Sequence, residues 1–84
     1  MLKILKFYTQ KCGPCAQIKP MIEEVGKKTG VPIESINALE DDRAAQYGIR
    51  AVPTLIFLKN NLEVARKTGL ISKADLVTLI EQHN

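Results

Sequence analysis

Tryptophan is absent from this chain, histidine occurs once and cysteine only twice among 84 residues. Two cysteines and the distant His83 cannot supply the four ligands of a structural zinc site within one chain, so no metal is expected. No apolar run approaches 18 residues, which excludes a membrane-spanning helix. There is no G-x-G-x-x-G and no P-loop, so no nucleotide cofactor is expected either. The net charge of +3 comes from scattered residues, with Lys27-Lys28 and Arg66-Lys67 the only adjacent basic pairs. Without a basic block interleaved with aromatics, a nucleic-acid partner is not expected. Charges interrupt every apolar stretch of Met1–Lys6, which therefore reads as a strand and not as a signal peptide. A cytoplasmic location is expected, where a free dithiol is kept reduced.

What the chain does have is concentrated in four residues, Cys12-Gly13-Pro14-Cys15, which hold both cysteines. A strand-like run precedes them and a helix-like run follows, the context of a dithiol that exchanges electrons with disulfides. A chain entering a helix at Cys12 leaves several N–H groups unpaired, and their partial positive charge favours an anion. A helix N-terminus lowers a cysteine pKa from about 8.5 into a range of roughly 3.5–7.5, and the thiolate is the nucleophile. Cys15 lies three residues on, on nearly the same helical face, within reach of Cys12. Gly13 leaves room for a substrate backbone. Pro14 fits a first turn, where its missing N–H costs nothing.

The length suits one domain over residues 1–84, burying about 60–65% of its unfolded surface. Residues 2–8 read as an apolar strand. Residues 13–28 read as a helix whose stripe is Ile18, Met21, Ile22 and Val25, kinked at Pro20 and ended by Gly30. Residues 31–37 read as a second strand, with Pro32 at its start or on an edge. Residues 40–47 read as a short helix stopped by Gly48, with Asp41 and Asp42 as first-turn acids. Strands over 54–59 and 62–67 flank Asn60-Asn61, a tight turn because asparagine tolerates positive φ. Ser72, with Asp75 three residues later, opens a last helix with Leu76, Leu79 and Ile80 inward. His83 is expected to be solvated and disordered. The order is βαβαββα: an α/β fold with a four-stranded mixed sheet and helices on both faces.

With these elements in place, the chain resembles the thioredoxin family over nearly its whole length. The resemblance is carried by Phe7-Tyr8 through Cys15, by Pro20, by Tyr47-Gly48-Ile49-Arg50-Ala51-Val52-Pro53-Thr54, by Lys59-Asn60 and by Gly69-Leu70-Ile71-Ser72-Lys73. It implies a thioredoxin-like fold and a protein-disulfide reductase cycling between a Cys12/Cys15 dithiol and disulfide, with no other cofactor. It implies that Val52-Pro53 is a cis peptide lying against the disulfide, with Val52, Pro53 and Thr54 positioned to hold a substrate strand. The implied partners are protein disulfides and a thioredoxin-reductase-type donor, with the protein a monomer.

The chain departs from the family in three places. Lys11 stands where the family has tryptophan: either a solvated loop lysine or a charge that favours the Cys12 thiolate or steers acidic partners. Lys6 stands where the family has a buried aspartate. An ungapped alignment back from Tyr47 places Glu34 where the family has a nearby lysine. A pair of reversed polarity, Lys6–Glu34, is therefore expected beside Cys15, tuning its pKa or taking its proton; otherwise Lys6 snorkels and Glu34 is solvated. Third, glutaredoxins carry Gly-Gly with a nearby Asp before the last helix to hold glutathione, where this chain reads Thr68-Gly69-Leu70-Ile71-Ser72. The short length suits a glutaredoxin-like, glutathione-dependent alternative; this segment does not. The remaining alternative is a thioredoxin-fold binding subunit with no redox role.

Overall fold

The computed structural model describes residues 1–84. The elements follow in the order β1 (Leu2–Tyr8), α1 (Gly13–Thr29), β2 (Ile33–Asn37), α2 (Arg43–Gln46), β3 (Thr54–Lys59), β4 (Leu62–Thr68) and α3 (Lys73–His83). This is the expected βαβαββα series. The sheet order is β2-β1-β3-β4. β1 and β2 run parallel, joined by α1, while β3 lies antiparallel to β1, and β4 to β3.

The two central strands are apolar at nearly every position because both of their faces are covered. Alternation then sorts their side chains. Leu2, Ile4, Leu55 and Phe57 point to one face and pack with Ile18, Ile22 and Val25 of α1 and Leu76 and Ile80 of α3. Leu5, Phe7, Ile56 and Leu58 point to the other and pack with Ile36 of β2 and Ala44 of α2. A register shift between Phe57 and Leu58 marks a bulge against β4, the exposed edge strand.

Local signals explain where the elements stop. α1 runs through Pro20 without ending, and closes on Gly30, whose φ of 74° lies in the left-handed region and whose N–H donates to the Gly26 carbonyl at 3.0 Å. Asn60 and Asn61 have φ of 53° and 69°, the paired positive values of a two-residue hairpin turn matched to strand twist. Ser72 caps α3, its hydroxyl accepting the Asp75 N–H at 3.0 Å.

Three expectations are corrected. The second strand begins at Ile33 and not at 31, because Pro32 has no N–H to give a ladder. Its carbonyl still accepts from the Ile4 N–H at 2.9 Å, and Val31 is a core residue. The short helix covers Arg43–Gln46 alone: Asp41 accepts from the Arg43 backbone N–H at 2.9 Å, a local turn that delays the helix. His83 is ordered in the last turn of α3.

Candidate active site

The C-terminal ends of β1 and β2, the start of β3 and the N-terminus of α1 meet at one end of the sheet. Residues 9–12 leave β1 there and turn into α1. Cys12 is the residue that caps this helix. Its backbone is extended, with φ −126° and ψ 101°, and its Sγ accepts the Cys15 N–H at 3.1 Å. Its carbonyl accepts the first helical hydrogen bond, from the Ala16 N–H at 3.1 Å. Gly13 and Pro14 form the exposed first turn, which contains no acidic residue. A thiolate at Cys12 would therefore have no carboxylate competing with it for the positive end of the helix. Cys12 and Cys15 form a disulfide with Cα atoms 5.2 Å apart. Cys15 is buried, 9% exposed, while Cys12 is only half-buried. Of the two residues, Cys12 is thus the more accessible.

The register places Thr54 beside Phe7, so the Val52-Pro53 turn lies at this same end of the sheet. The Val52–Pro53 bond is cis. Pro53 is fully buried, and its carbonyl accepts the Gly69 N–H at 2.8 Å. Thr54, 1% exposed, donates its hydroxyl to the Ala51 carbonyl at 2.7 Å and lies 3.3 Å from the Thr68 hydroxyl. These bonds fix the turn from both sides. Val52 itself is half-buried, and neither its N–H nor its carbonyl is bonded to another part of the chain. Lys11 and Arg50 are exposed and make no ion pair.

Behind the disulfide an open cleft of about 260 Å³ is lined by Cys12 and Cys15, and by Lys6, Tyr8, Lys19 and Ser35. Lys6 is only 6% exposed. It makes no hydrogen bond and no ion pair, yet no buried side-chain nitrogen lacks a partner. Its stem is therefore covered and its ammonium reaches cleft solvent. Burial pushes its pKa below 10.5; Glu23 opposes that shift and Lys19 adds to it.

The expected Lys6–Glu34 pair does not form. The register sets Lys6 against Ser35 and Glu34 against Leu5. One residue of offset in a strand is a change of face, so Glu34 projects from the far side of the sheet. There it accepts from Lys3 at 2.9 Å and from Arg43 at 2.7 Å. Arg43 first, and Lys3 second, hold its pKa down at about 2 against the ordinary 4.5. Glu34 is a structural ion-pair acceptor on the α2 face and has no access to Cys15. Sequence reasoning missed Ser35 and Lys19 as cleft residues. The signal for Ser35 was its position one residue from Ile36: Ile36 and Glu34 share a parity that Ser35 does not.

The thioredoxin family model matches residues 1–82. This chain belongs to the thioredoxin family. It is 34% identical over 83 residues to the thioredoxin of Haemophilus influenzae, an alignment covering 95% of this chain and 78% of that one. It is 38% identical over 87 residues to the thioredoxin of Chlamydia caviae, covering 99% and 83%. Among solved structures, a mutant thioredoxin from Halobacterium salinarum superposes with a TM-score of 0.92 at 31% identity, covering 98% of this chain and 74% of that one. Thioredoxin membership and the Cys12–Cys15 pair together make this protein a thiol–disulfide oxidoreductase acting on protein disulfides. The chain spans about four-fifths of the length of these relatives, and its Lys6 and Lys11 depart from the residues the family resemblance implies.

Proposed function

We propose that Cys12 is the attacking thiolate and Cys15 the resolving thiol of a protein-disulfide reductase. The observation that carries this reading is the division of labour at the helix start: Cys12 caps α1 and is accessible, while Cys15 is buried one turn in. The Cys12 thiolate attacks one sulfur of a substrate disulfide, the substrate S–S bond breaks, and its other sulfur leaves as a thiolate. Cys15, deprotonated, then attacks Cys12 and displaces the second substrate sulfur. Two electrons pass to the substrate, and the protein is left with the Cys12–Cys15 disulfide seen in the structure. Attack within one helical turn makes the second step unimolecular. The free N–H and carbonyl of Val52 support its pairing with an extended substrate segment, a form of strand addition, with Pro53 and Thr54 fixing its position. Gly13 and Pro14 keep the first turn free of bulk and of a wasted donor.

The redox pair is the only electron carrier this cycle uses. The donor that restores the dithiol is a thioredoxin-reductase-type protein. The single glycine of Thr68-Gly69-Leu70 supports that choice over glutathione. The protein acts as a monomer in the cytoplasm, without membrane or nucleic acid. No helix is long and apolar enough to cross a membrane.

The test is NADPH-coupled reduction of a protein disulfide, with a panel of thioredoxin reductases in one arm and glutathione with its reductase in the other. Wild type turns over in the first arm alone, and Cys12→Ser loses at least about 10³-fold. Cys15→Ser traps a mixed disulfide on Cys12. Turnover confined to the glutathione arm overturns the donor assignment. Turnover that survives Cys12→Ser overturns the mechanism.

A further inference from the structure

Lys6 is the buried cation of the cleft that holds the disulfide. It belongs to the α1 face of β1, as does the cleft, and both Cys12 and Cys15 line that cleft with it. The charged or titratable groups near it are few. From α1 come Lys19, a like charge, and Glu23, an opposite one. Its own strand contributes Tyr8. Its neighbours across the ladders are Ser35 and Leu55, both uncharged. No carboxylate binds it.

In the oxidised protein the sulfurs are neutral and offer Lys6 no charge to attract. Reduction adds two electrons, and the sulfurs can then carry negative charge. A cation held in a partly desolvated cleft interacts with that charge far more strongly than one in open water. The attraction exists only in the reduced state, so it is differential, and it stabilises the dithiol–thiolate form. A couple whose reduced form is stabilised is a weaker reductant. We infer that Lys6 stabilises thiolate at the cleft sulfurs, setting this protein's reduction potential to a less negative value than a neutral residue at that position would give.

The inference rests on the assignment of Cys12 and Cys15 as the redox couple. In the resolving step the Cys15 proton passes to cleft water. The thiolate, in the field of the Lys6 ammonium, forms the bond to Cys12 as the Cys12–substrate bond breaks. The linkage is reciprocal: if Lys6 stabilises thiolate, thiolate stabilises the Lys6 ammonium. Lys6 therefore holds its proton to higher pH in the reduced protein than in the oxidised one. A weaker reductant suits exposed or strained disulfides, which have the higher potentials.

The experiment equilibrates wild type, Lys6→Met, Lys6→Gln and Lys19→Met with glutathione redox buffers, folding being checked by circular dichroism. Both Lys6 variants should shift the equilibrium toward the disulfide by about tenfold, about 30 mV for a two-electron couple. Lys19→Met should shift it less than about threefold, because exposed charges are screened. A paired NMR titration of the Lys6 side chain should give a higher pKa in the reduced protein. Equilibrium constants within about twofold of wild type, a shift of opposite sign, or an equal effect of Lys19→Met would each overturn the inference. A wild type with no glutathione-titratable couple would instead overturn the underlying assignment of Cys12 and Cys15.

Discussion

Lys3 and Lys6 are three residues apart on one strand and live in different environments. Lys3 projects from the α2 face, half exposed, and meets Glu34, which Arg43 also grips. Lys6 projects from the α1 face, almost covered, and meets no carboxylate. One face of the sheet balances its charges; the other leaves a cation uncompensated beside the disulfide. Ionised groups without partners are costly to bury, and they persist where they serve chemistry.

The largest effect expected is on the shared core. Phe57→Ala, at a fully buried position packed between α1 and α3, should cost about 3–5 kcal/mol in denaturant unfolding. A loss below about 1 kcal/mol would mean that this face packs more loosely than its burial indicates. The two lysines should then respond with opposite signs. Lys6→Met removes a partly desolvated charge without removing volume, and should stabilise by on the order of 1 kcal/mol at neutral pH. The pH dependence carries the same sign. Lys6 has a folded pKa below its unfolded 10.5, so the unfolded chain binds more protons and wild-type stability rises as pH climbs toward that value. Lys6→Met should lack that rise. Lys3→Met breaks a solvent-facing pair and should destabilise by about 0.5 kcal/mol. If both variants moved stability in one direction, the contrast between the faces would be lost.

A further effect lies in acid. Glu34 has its pKa depressed to about 2, so its contribution is fully present above the unfolded value near 4.5 and is lost as pH falls toward 2. Its side chain is 37% exposed, so solvent screens the pair and Glu34→Gln should cost at most about 1 kcal/mol at pH 7. The variant should show a flatter stability profile between pH 4.5 and 2. A profile parallel to wild type would remove Glu34 from the balanced face.

The fold was legible because its strongest signals are local. The runs Leu2–Tyr8 and Thr54–Lys59 are apolar enough to be central strands, and their bounds emerge as expected. Asn60-Asn61, Gly30 and Ser72 each carry a backbone preference that specifies a turn or a cap, whatever the rest of the chain does. The Cys12–Cys15 pair was equally plain, because its chemistry needs only spacing and a helix start. Partnership across strands was not legible. Gap-free counting from Tyr47 reached Glu34 where the register places Ser35, and in a strand that single step exchanges one face for the other. The short helix failed for a related reason. The Asp41 carboxylate competes for the backbone with the helix that its neighbours would otherwise begin.

The cap at Cys12 joins the redox chemistry directly to the backbone. The acceptor of the Cys15 N–H is the sulfur that changes state. A disulfide sulfur accepts weakly, whereas a thiolate accepts as an ion, and charge-assisted bonds are about twice as strong. The Cys15 amide proton is therefore a native gauge of oxidation. Its NMR resonance and its exchange rate with solvent would follow electron transfer without a dye or a label, from inside the turn that performs it.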